Sequence, residues 1–155
     1  MRAWRLTRHP HADLSGEGAR LYGGRWNSPG AAVVYASERL SLAILETLVH
    51  TDPDLIPDDY IEVELEVPDA VSREELRPDQ LAADWRTNED WTRARGDTWI
   101  RSEASAVLIV PSILAPRERN LLINPGHPDA AAVQRVAVRR FRFDERLFSR
   151  PRAGS

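Results

Sequence analysis

The segment from Tyr60 to Val67 constrains the fold more than any other part of the chain. Its sequence, YIEVELEV, alternates apolar and acidic residues without a break. Successive side chains of a β-strand point to opposite faces of a sheet, so this period of two predicts a strand with one buried and one solvated side. Pro68 cannot donate a ladder hydrogen bond and ends the strand.

Three further segments are predicted to be strands. Each is a short run of strand-forming residues: Ala31 to Ala36, Ala106 to Val110 and Val136 to Phe143. The first two runs are apolar throughout and bounded by turn-forming or polar residues, which is typical of strands buried on both faces.

Two segments are predicted to be helices. In Ser41 to His50, an apolar face is formed at helical spacing by Leu42, Leu45 and Val49. In Glu89 to Ser102, the predicted face consists of Trp91, Ala94, Arg95, Thr98 and Trp99. A glycine inside this second helix, Gly96, weakens the prediction because glycine disfavours helix interiors.

Length and composition predict one domain over residues 1–155, with a loop from Thr51 to Asp59 and a frayed tail from residue 149. Strands mixed with a few helices, without regular βα alternation, predict an α+β fold. The chain has no cysteine, which excludes disulfides and thiolate metal sites. His9, His11 and His127 lack partners at metal-ligand spacing, so no metal is predicted.

The net charge is −3, and all 21 basic residues are arginine. A dedicated nucleic-acid binder normally shows a basic excess, so DNA and RNA are not expected partners. The first 18 residues lack the apolar stretch of a signal peptide, and no apolar run approaches membrane-spanning length. We therefore expect a cytoplasmic protein that does not bind membranes.

The segment from Leu14 to Pro29, LSGEGARLYGGRWNSP, is rich in glycine and runs into Arg25. Paired glycines let a backbone approach a ligand closely. An arginine directly after them can clamp a pyrophosphate through two parallel hydrogen bonds. The spacing matches neither a Walker loop nor the dinucleotide-binding G-x-G-x-x-G pattern. On the residues alone, a long surface loop with turn glycines stays an alternative.

Three other side chains are candidates for a site. Glu46 lies about 40° from Leu42 on a helical wheel, so its carboxylate is either at the solvated rim of the helix or aimed into a cleft. Tyr35, near the end of a predicted strand, is either a core residue or an aromatic surface for a ligand. Ser112 ends a predicted strand and either bonds to a turn backbone or contacts a ligand.

Taken in order along the chain, these segments resemble the RES domain, a family named for its arginine, glutamate and serine. The matching stretches are Trp4-Arg5, LSGEGARLYGGRWNSPG (14–30), VVYAS (33–37), LAILETLVH (42–50), VLIVPS (107–112) and NLLINPGHP (120–128). They span almost the whole chain. The combination of GGRW, the Y-A-S strand end, the glutamate helix and NPxHP is specific.

The resemblance implies a toxin encoded beside an Xre-like antitoxin. RES domains deplete cellular NAD⁺ by phosphorolysis or hydrolysis of the nicotinamide–ribose bond, and their fold resembles that of ADP-ribosyltransferase toxins. The resemblance further implies that NAD⁺ is the substrate, that inorganic phosphate is a candidate co-substrate, and that no helper cofactor is required. It also implies a hetero-oligomer in which the antitoxin blocks the NAD⁺ pocket and makes any DNA contact.

Carried over residue by residue, the resemblance implies that Arg25 and Glu46 are the family's arginine and glutamate and form the catalytic pair. Arg5 and Tyr35 fall where the family lines its NAD⁺ pocket. The family's serine, also expected to contact NAD⁺, is assigned to Ser112 because its segment matches best.

The residues leave two points open. Ser102 and Ser105 are nearby alternatives for the family's serine. Protein ADP-ribosyl transfer and non-catalytic nucleotide or partner binding are alternative functions. ADP-ribosyltransferase toxins often carry a second carboxylate two residues before the catalytic one, where this chain has Ile44. That difference favours a small molecule over a protein side chain as the acceptor of the ADP-ribosyl group. The joint presence of Arg25, Tyr35 and Glu46 argues against a non-catalytic binding module.

Overall fold

The computed structural model describes residues 1–148, so the predicted fraying of the tail from residue 149 lies outside them. Within these residues, seven strands form one sheet: β1 Arg2–Arg8, β2 Val34–Ser37, β3 Tyr60–Glu66, β4 Arg73–Glu75, β5 Val107–Pro111, β6 Arg119–Ile123 and β7 Gln134–Arg140. The three α-helices of this part of the chain are α1 Glu17–Tyr22, α2 Leu40–Leu48 and α3 Glu89–Ser102. The predicted α+β fold is confirmed. None of the described helices is long and apolar enough to cross a membrane.

The sheet has the order β4-β5-β6-β2-β1-β3-β7, in which β4 and β5 are parallel and the other neighbours antiparallel. Alternate side chains of each strand point to opposite faces, so the central strands supply two cores. Val34 and its partner Ile123 enter one apolar cluster, whereas Leu122 and the partly buried Tyr35 enter the other. Helix α3 covers the second cluster with the buried Trp99.

The two central strands, β1 and β2, barely touch. Among the described residues they pair at one position, where Trp4 lies opposite Ser37. Strand β1 instead pairs along its whole length with β3, and β2 pairs along its whole length with β6. The sheet is therefore two half-sheets joined at one point, and β1 and β2 diverge away from it.

The four segments predicted as strands do form strands, with bounds that differ by one residue for β3 and β5 and by up to three residues for β2 and β7. Strand β3 matches the alternating segment to within one residue, and the four residues on the predicted buried face of that segment are at most 4% exposed. The predicted strand over residues 31–36 begins later, at Val34, because that residue pairs with Ile123 at the end of β6. The predicted strand over residues 136–143 is wrong at both ends: β7 spans Gln134–Arg140, the length that β3 can pair.

The apolar face predicted for α2 is right for Leu42 and wrong for Leu45 and Val49. The helix buries Leu42 and Ala43 against β1 and β2, whereas Leu45 is 39% exposed and Val49, just after the helix, is 54% exposed. On a helical wheel, Glu46 lies about 40° from Leu42 and about 60° from Ala43, between the two buried residues. The carboxylate therefore projects from the packed side of the helix and not from its rim.

Helix α3 has the predicted bounds and buries Trp99 as predicted, but the rest of its packed face differs from the prediction. The buried residues are Thr92, Gly96 and Trp99, whereas the predicted Ala94 and Thr98 are exposed. A Cβ atom at position 96 would lie 1.7 Å from the carbonyl oxygen of Trp26, so only glycine lets the helix approach this backbone. The glycine that weakened the helix prediction is thus the residue that docks the helix.

Sequence patterns missed β1, β4, β6 and α1. The sequence of β1, RAWRLTR, mixes charged and apolar residues on both faces, and β4 has only three residues. Helix α1 has six residues and lies inside the glycine-rich segment, which sequence reasoning treated as a loop.

Replacing Gly96 by alanine should destabilise the protein by about 3 kcal/mol, because overpacking forces α3 away from the Trp26 backbone. Urea unfolding checks this. Gly18→Ala is the matched control, because a Cβ there meets no atom nearer than 3.9 Å and alanine favours the helix. Equal stability of the two variants would contradict the proposed role of Gly96.

Candidate active site

A cleft opens where β1 and β2 separate. It contains a cavity of about 510 Å³, a size typical of small-molecule sites. One wall comes from β1 with Arg5 and Thr7, and another from β2 with Tyr35. Helices α1 and α2, the glycine-rich turn before Arg25, and Pro111 of β5 and Asn120 of β6 also line the cavity.

A second cavity of about 770 Å³ adjoins the first. Both cavities are lined by Arg25, Glu46 and His50. The second is also lined by Arg93 and Leu114. The predicted catalytic pair therefore lies at the junction of two spaces, so that groups in either space can reach it.

Glu46 is held through one of its two oxygen atoms. Its Oε1 accepts a hydrogen bond from the hydroxyl of Ser112 at 2.8 Å and another from the side-chain amide of Asn120 at 2.8 Å. The backbone amides of Leu114 and Ala115 donate to the same Ser112 hydroxyl, both at 3.1 Å. Since the hydrogen bonds to this side chain end at Oε1, Oε2 is the oxygen that a ligand in the cleft can use.

The three candidate serines have different surroundings. Ser112 is 1% exposed and donates to Glu46, which places it in the site behind the carboxylate. Ser102 donates to the carbonyl oxygen of Trp99 at the end of α3. Ser105 bonds to Glu74 and accepts from the Trp99 indole. Of the three, Ser112 is joined to the cleft; its direct contact with NAD⁺ stays a prediction.

Arg25 is fixed on one side of its guanidinium group. Its Nη2 donates to the carbonyl oxygens of Trp85, at 2.8 Å, and of Arg86. Its carbonyl oxygen accepts from the Thr92 hydroxyl at 2.7 Å. Its Nη1 lies 3.5 Å from Glu89, and its buried Nε has no hydrogen-bond partner among residues 1–148. These contacts hold the side chain in place.

Tyr35 ties the glycine-rich turn to the sheet. Its hydroxyl donates to Oδ1 of Asn27 at 2.6 Å and accepts from the Trp26 backbone amide at 3.0 Å. Burial raises the pKa of the phenol, so it keeps its proton. A Cβ on Gly24 would lie 2.7 Å from the Tyr35 hydroxyl, which is why this turn needs glycine. The ring lines the cavity and the hydroxyl stabilises the turn.

Arg5 brings a second cation into the cleft. Its Nη1 donates to the carbonyl oxygen of Asp13 at 2.9 Å. Burial lowers the pKa of Arg5 to about 10, against the opposing charge of the Asp13 carboxylate. The guanidinium group therefore stays charged at neutral pH although it is largely removed from water.

Sequence reasoning missed two residues of this site. Asn120, which holds Glu46, stands at the start of the matched stretch NLLINPGHP. Asn27, which holds Tyr35, directly follows GGRW and is fully buried. A buried asparagine beside a matched motif was the available signal.

The fold and this site define a small α+β protein with a cleft lined by Arg5, Arg25 and Glu46, and comparison with known proteins identifies its class. A model of the RES domain family matches residues 2–144. The chain therefore belongs to the RES domain family.

Its relatives are toxins by name. It is 43% identical to "Prs ADP-ribosylating toxin" of Sphingobium sp. (strain YBL2), over 87% of this chain and 86% of the relative. It is 37% identical to "Toxin Res" of Yersinia enterocolitica, over 92% and 95% of the two chains, and 37% identical to "Toxin Res" of Pseudomonas putida, over 94% and 98%. A similar solved structure is the M. tuberculosis MbcT-MbcA toxin-antitoxin complex, with a TM-score of 0.73 at 21% identity over 95% of this chain and 86% of that chain.

Tyr35→Phe should destabilise the protein by about 1–3 kcal/mol, because it leaves Asn27 Oδ1 and the Trp26 amide without their buried partner. Chemical denaturation measures the loss. Tyr22→Phe, which removes a hydroxyl from a tyrosine that is 81% exposed, should change stability by less than about 0.5 kcal/mol. A Tyr35→Phe variant as stable as the wild type would show that the hydroxyl does not stabilise the turn.

Proposed function

We propose that this RES toxin breaks the nicotinamide–ribose bond of NAD⁺, and that Glu46 stabilises the transition state. The observation that carries the proposal is the carboxylate of Glu46, anchored at Oε1 by Ser112 and Asn120 at the junction of two cavities. The related toxins cover nearly the whole chain, which supports an enzymatic toxin.

The chemistry of this bond suits a fixed carboxylate. Nicotinamide is attached to ribose as a pyridinium and leaves as a neutral molecule, so its departure needs no general acid and no metal. Positive charge grows on the ribose as the bond stretches. A preorganised negative charge at Glu46 stabilises that oxocarbenium-like state, and Oε2 can accept from a ribose hydroxyl.

The arginines supply the binding energy that holds NAD⁺ in place. Arg25 is already fixed by two backbone carbonyls, and Arg5 is a desolvated cation in the same cleft. Charged hydrogen bonds from guanidinium groups to a pyrophosphate are strong, and a fixed pyrophosphate places the ribose carbon near Glu46. The Tyr35 ring offers an apolar surface against which the nicotinamide ring can pack.

The second cavity provides room for the acceptor of the ADP-ribosyl group. Phosphate or water are the acceptors that we propose first, because Arg25 and Arg93 line that cavity and Ile44 stands where a second carboxylate would orient a protein acceptor. The name of the Sphingobium relative, at 43% identity, favours protein ADP-ribosylation as the second candidate. Product analysis with and without phosphate, and with cell extract as acceptor, separates these reactions.

We further propose that an Xre-like antitoxin inhibits this toxin in the cytoplasm by covering the cleft, and that any DNA contact belongs to the antitoxin. The similar solved structure is a toxin-antitoxin complex. Exposed apolar side chains surround the cleft entrance, including Tyr22, Val49 and Leu114. An anion-binding cleft attracts a carboxylate of a partner segment for the same reason that it attracts pyrophosphate.

Glu46→Gln should lower kcat for nicotinamide release by about 10²-fold or more, because it keeps the shape and removes the charge. Arg25→Ala should mainly raise KM, since it removes a binding contact. Nicotinamide release from NAD⁺, followed for both variants, checks the difference. Glu62→Gln is the matched control: this carboxylate pairs with Arg139 on β7, away from the cleft, and its loss should leave kcat unchanged. Near-normal kcat for Glu46→Gln would show that the assigned role is wrong.

NAD⁺ should compete with the antitoxin, because both use the same cleft. The apparent Kd of the complex, measured without DNA, should rise in proportion to NAD⁺ concentration when Glu46→Gln toxin is used to prevent turnover. Deleting the antitoxin segment that enters the cleft should restore toxin activity, although the shortened antitoxin should still bind through the rest of the interface. An affinity that does not change at saturating NAD⁺ excludes direct occlusion.

A further inference from the structure

The carboxylate of Glu46 is the end of a hydrogen-bonded chain that begins on the central strands. The hydroxyl of Ser37 donates to Oδ1 of Asn120 at 2.7 Å, and the amide nitrogen of Asn120 donates to Oε1 of Glu46 at 2.8 Å. Ser37 and Asn120 are directly opposite each other in the pairing of β2 with β6. Their side chains therefore share one face of the sheet.

The sequence of donors and acceptors in these two hydrogen bonds fixes the orientation of the Asn120 amide. A carboxylate accepts hydrogen bonds only, so Glu46 needs the NH₂ end of the amide. The Ser37 hydroxyl donates to the other end and holds the amide oxygen away from the carboxylate. Without that donor, a rotated amide would place its oxygen against Glu46 Oε1, and the two would repel each other.

We propose that Ser37 and Asn120 are positioning residues for the reaction: Ser37 sets the orientation of the Asn120 amide, and Asn120 holds Glu46 so that Oε2 faces the ribose. The inference rests on the proposed function. The inference goes beyond the proposed function because it assigns a role to a residue that does not contact Glu46. Ser37 is 4% exposed and affects the carboxylate only through its hydrogen bond to Asn120.

The position of Ser37 in the sheet strengthens this inference. Ser37 is also the residue of β2 that pairs with Trp4, at the point where the two half-sheets meet. The chain of hydrogen bonds thus starts at the fixed end of the cleft, where the backbones of β1, β2 and β6 are joined. A side chain anchored there is held by rigid elements, which is what a preorganised carboxylate requires.

The test measures kcat and KM for nicotinamide release from NAD⁺ with the full chain. Asn120→Ala should lower kcat by roughly 10- to 100-fold, the range expected for losing a hydrogen bond to a charged group. Ser37→Ala should lower kcat by about 10-fold. KM should stay within about 2-fold in both variants, because neither residue binds the pyrophosphate. The double variant should lose no more than Asn120→Ala, since Ser37 acts only through Asn120.

Two further variants separate positioning from stability. Asn120→Asp keeps the shape and the bond from Ser37 but turns a carboxylate towards Glu46, so its kcat should fall at least as far as that of Asn120→Ala. Ser105→Ala removes another buried serine hydroxyl, which bonds to Glu74 and Trp99 and does not line the cleft. It should lower the Tm without lowering kcat.

Each outcome decides a separate point. A wild-type chain that releases no nicotinamide would overturn the proposed function. With an active wild type, full kcat in folded Ser37→Ala, or losses that add in the double variant, would overturn the inference for Ser37. If Ser37→Ala does not fold, Asn120→Asp decides, because near-normal kcat in that variant would show that the amide does not position Glu46.

Discussion

The one pairing between β1 and β2, Trp4 opposite Ser37, decides where this protein can hold a ligand. Each of the two strands has a complete partner on its other side, β3 for β1 and β6 for β2. The strands can therefore separate beyond Trp4 while each keeps a full ladder of hydrogen bonds. The result is a cleft with regular strands in two of its walls, so that Arg5 and Tyr35 line the cavity from rigid supports.

Two close approaches of the backbone then fix the arginine of the site. In the turn before Arg25, Gly24 lies against the Tyr35 hydroxyl. In α3, Gly96 lies against the carbonyl group of Trp26, the residue after Arg25. Between these contacts, Thr92 of α3 bonds to the carbonyl oxygen of Arg25. These contacts fix the backbone of Arg25, and the carbonyl oxygens of Trp85 and Arg86 fix its guanidinium group. A side chain that is already ordered loses little conformational entropy on binding a ligand.

The sequence predicted the parts of the fold that follow from local patterns. The alternation of β3 and the bounds of α3 could be predicted because neighbouring residues determine them. The buried face of α2 could not, since Leu45 and Val49 are apolar residues that the fold leaves exposed. Family resemblance brought Glu46 and Ser112 to attention, and the structure joins them. Asn120 was missed because its hydrogen bond to Glu46 spans 74 residues and exists only through the strand order.

The cleft also has an energetic consequence for control. Burial of Arg5 and of the unpaired Nε of Arg25 costs free energy in the empty protein, since both give up water without full replacement. An anion that binds the Arg5 guanidinium group in the folded protein, and not in the unfolded chain, stabilises the folded state by mass action. That gain depends on negative charge and geometry and not on the identity of the ligand. Under the proposed function, the pyrophosphate of NAD⁺ and a carboxylate of the antitoxin compete for the same stabilisation, so a short acidic segment of the antitoxin suffices for inhibition.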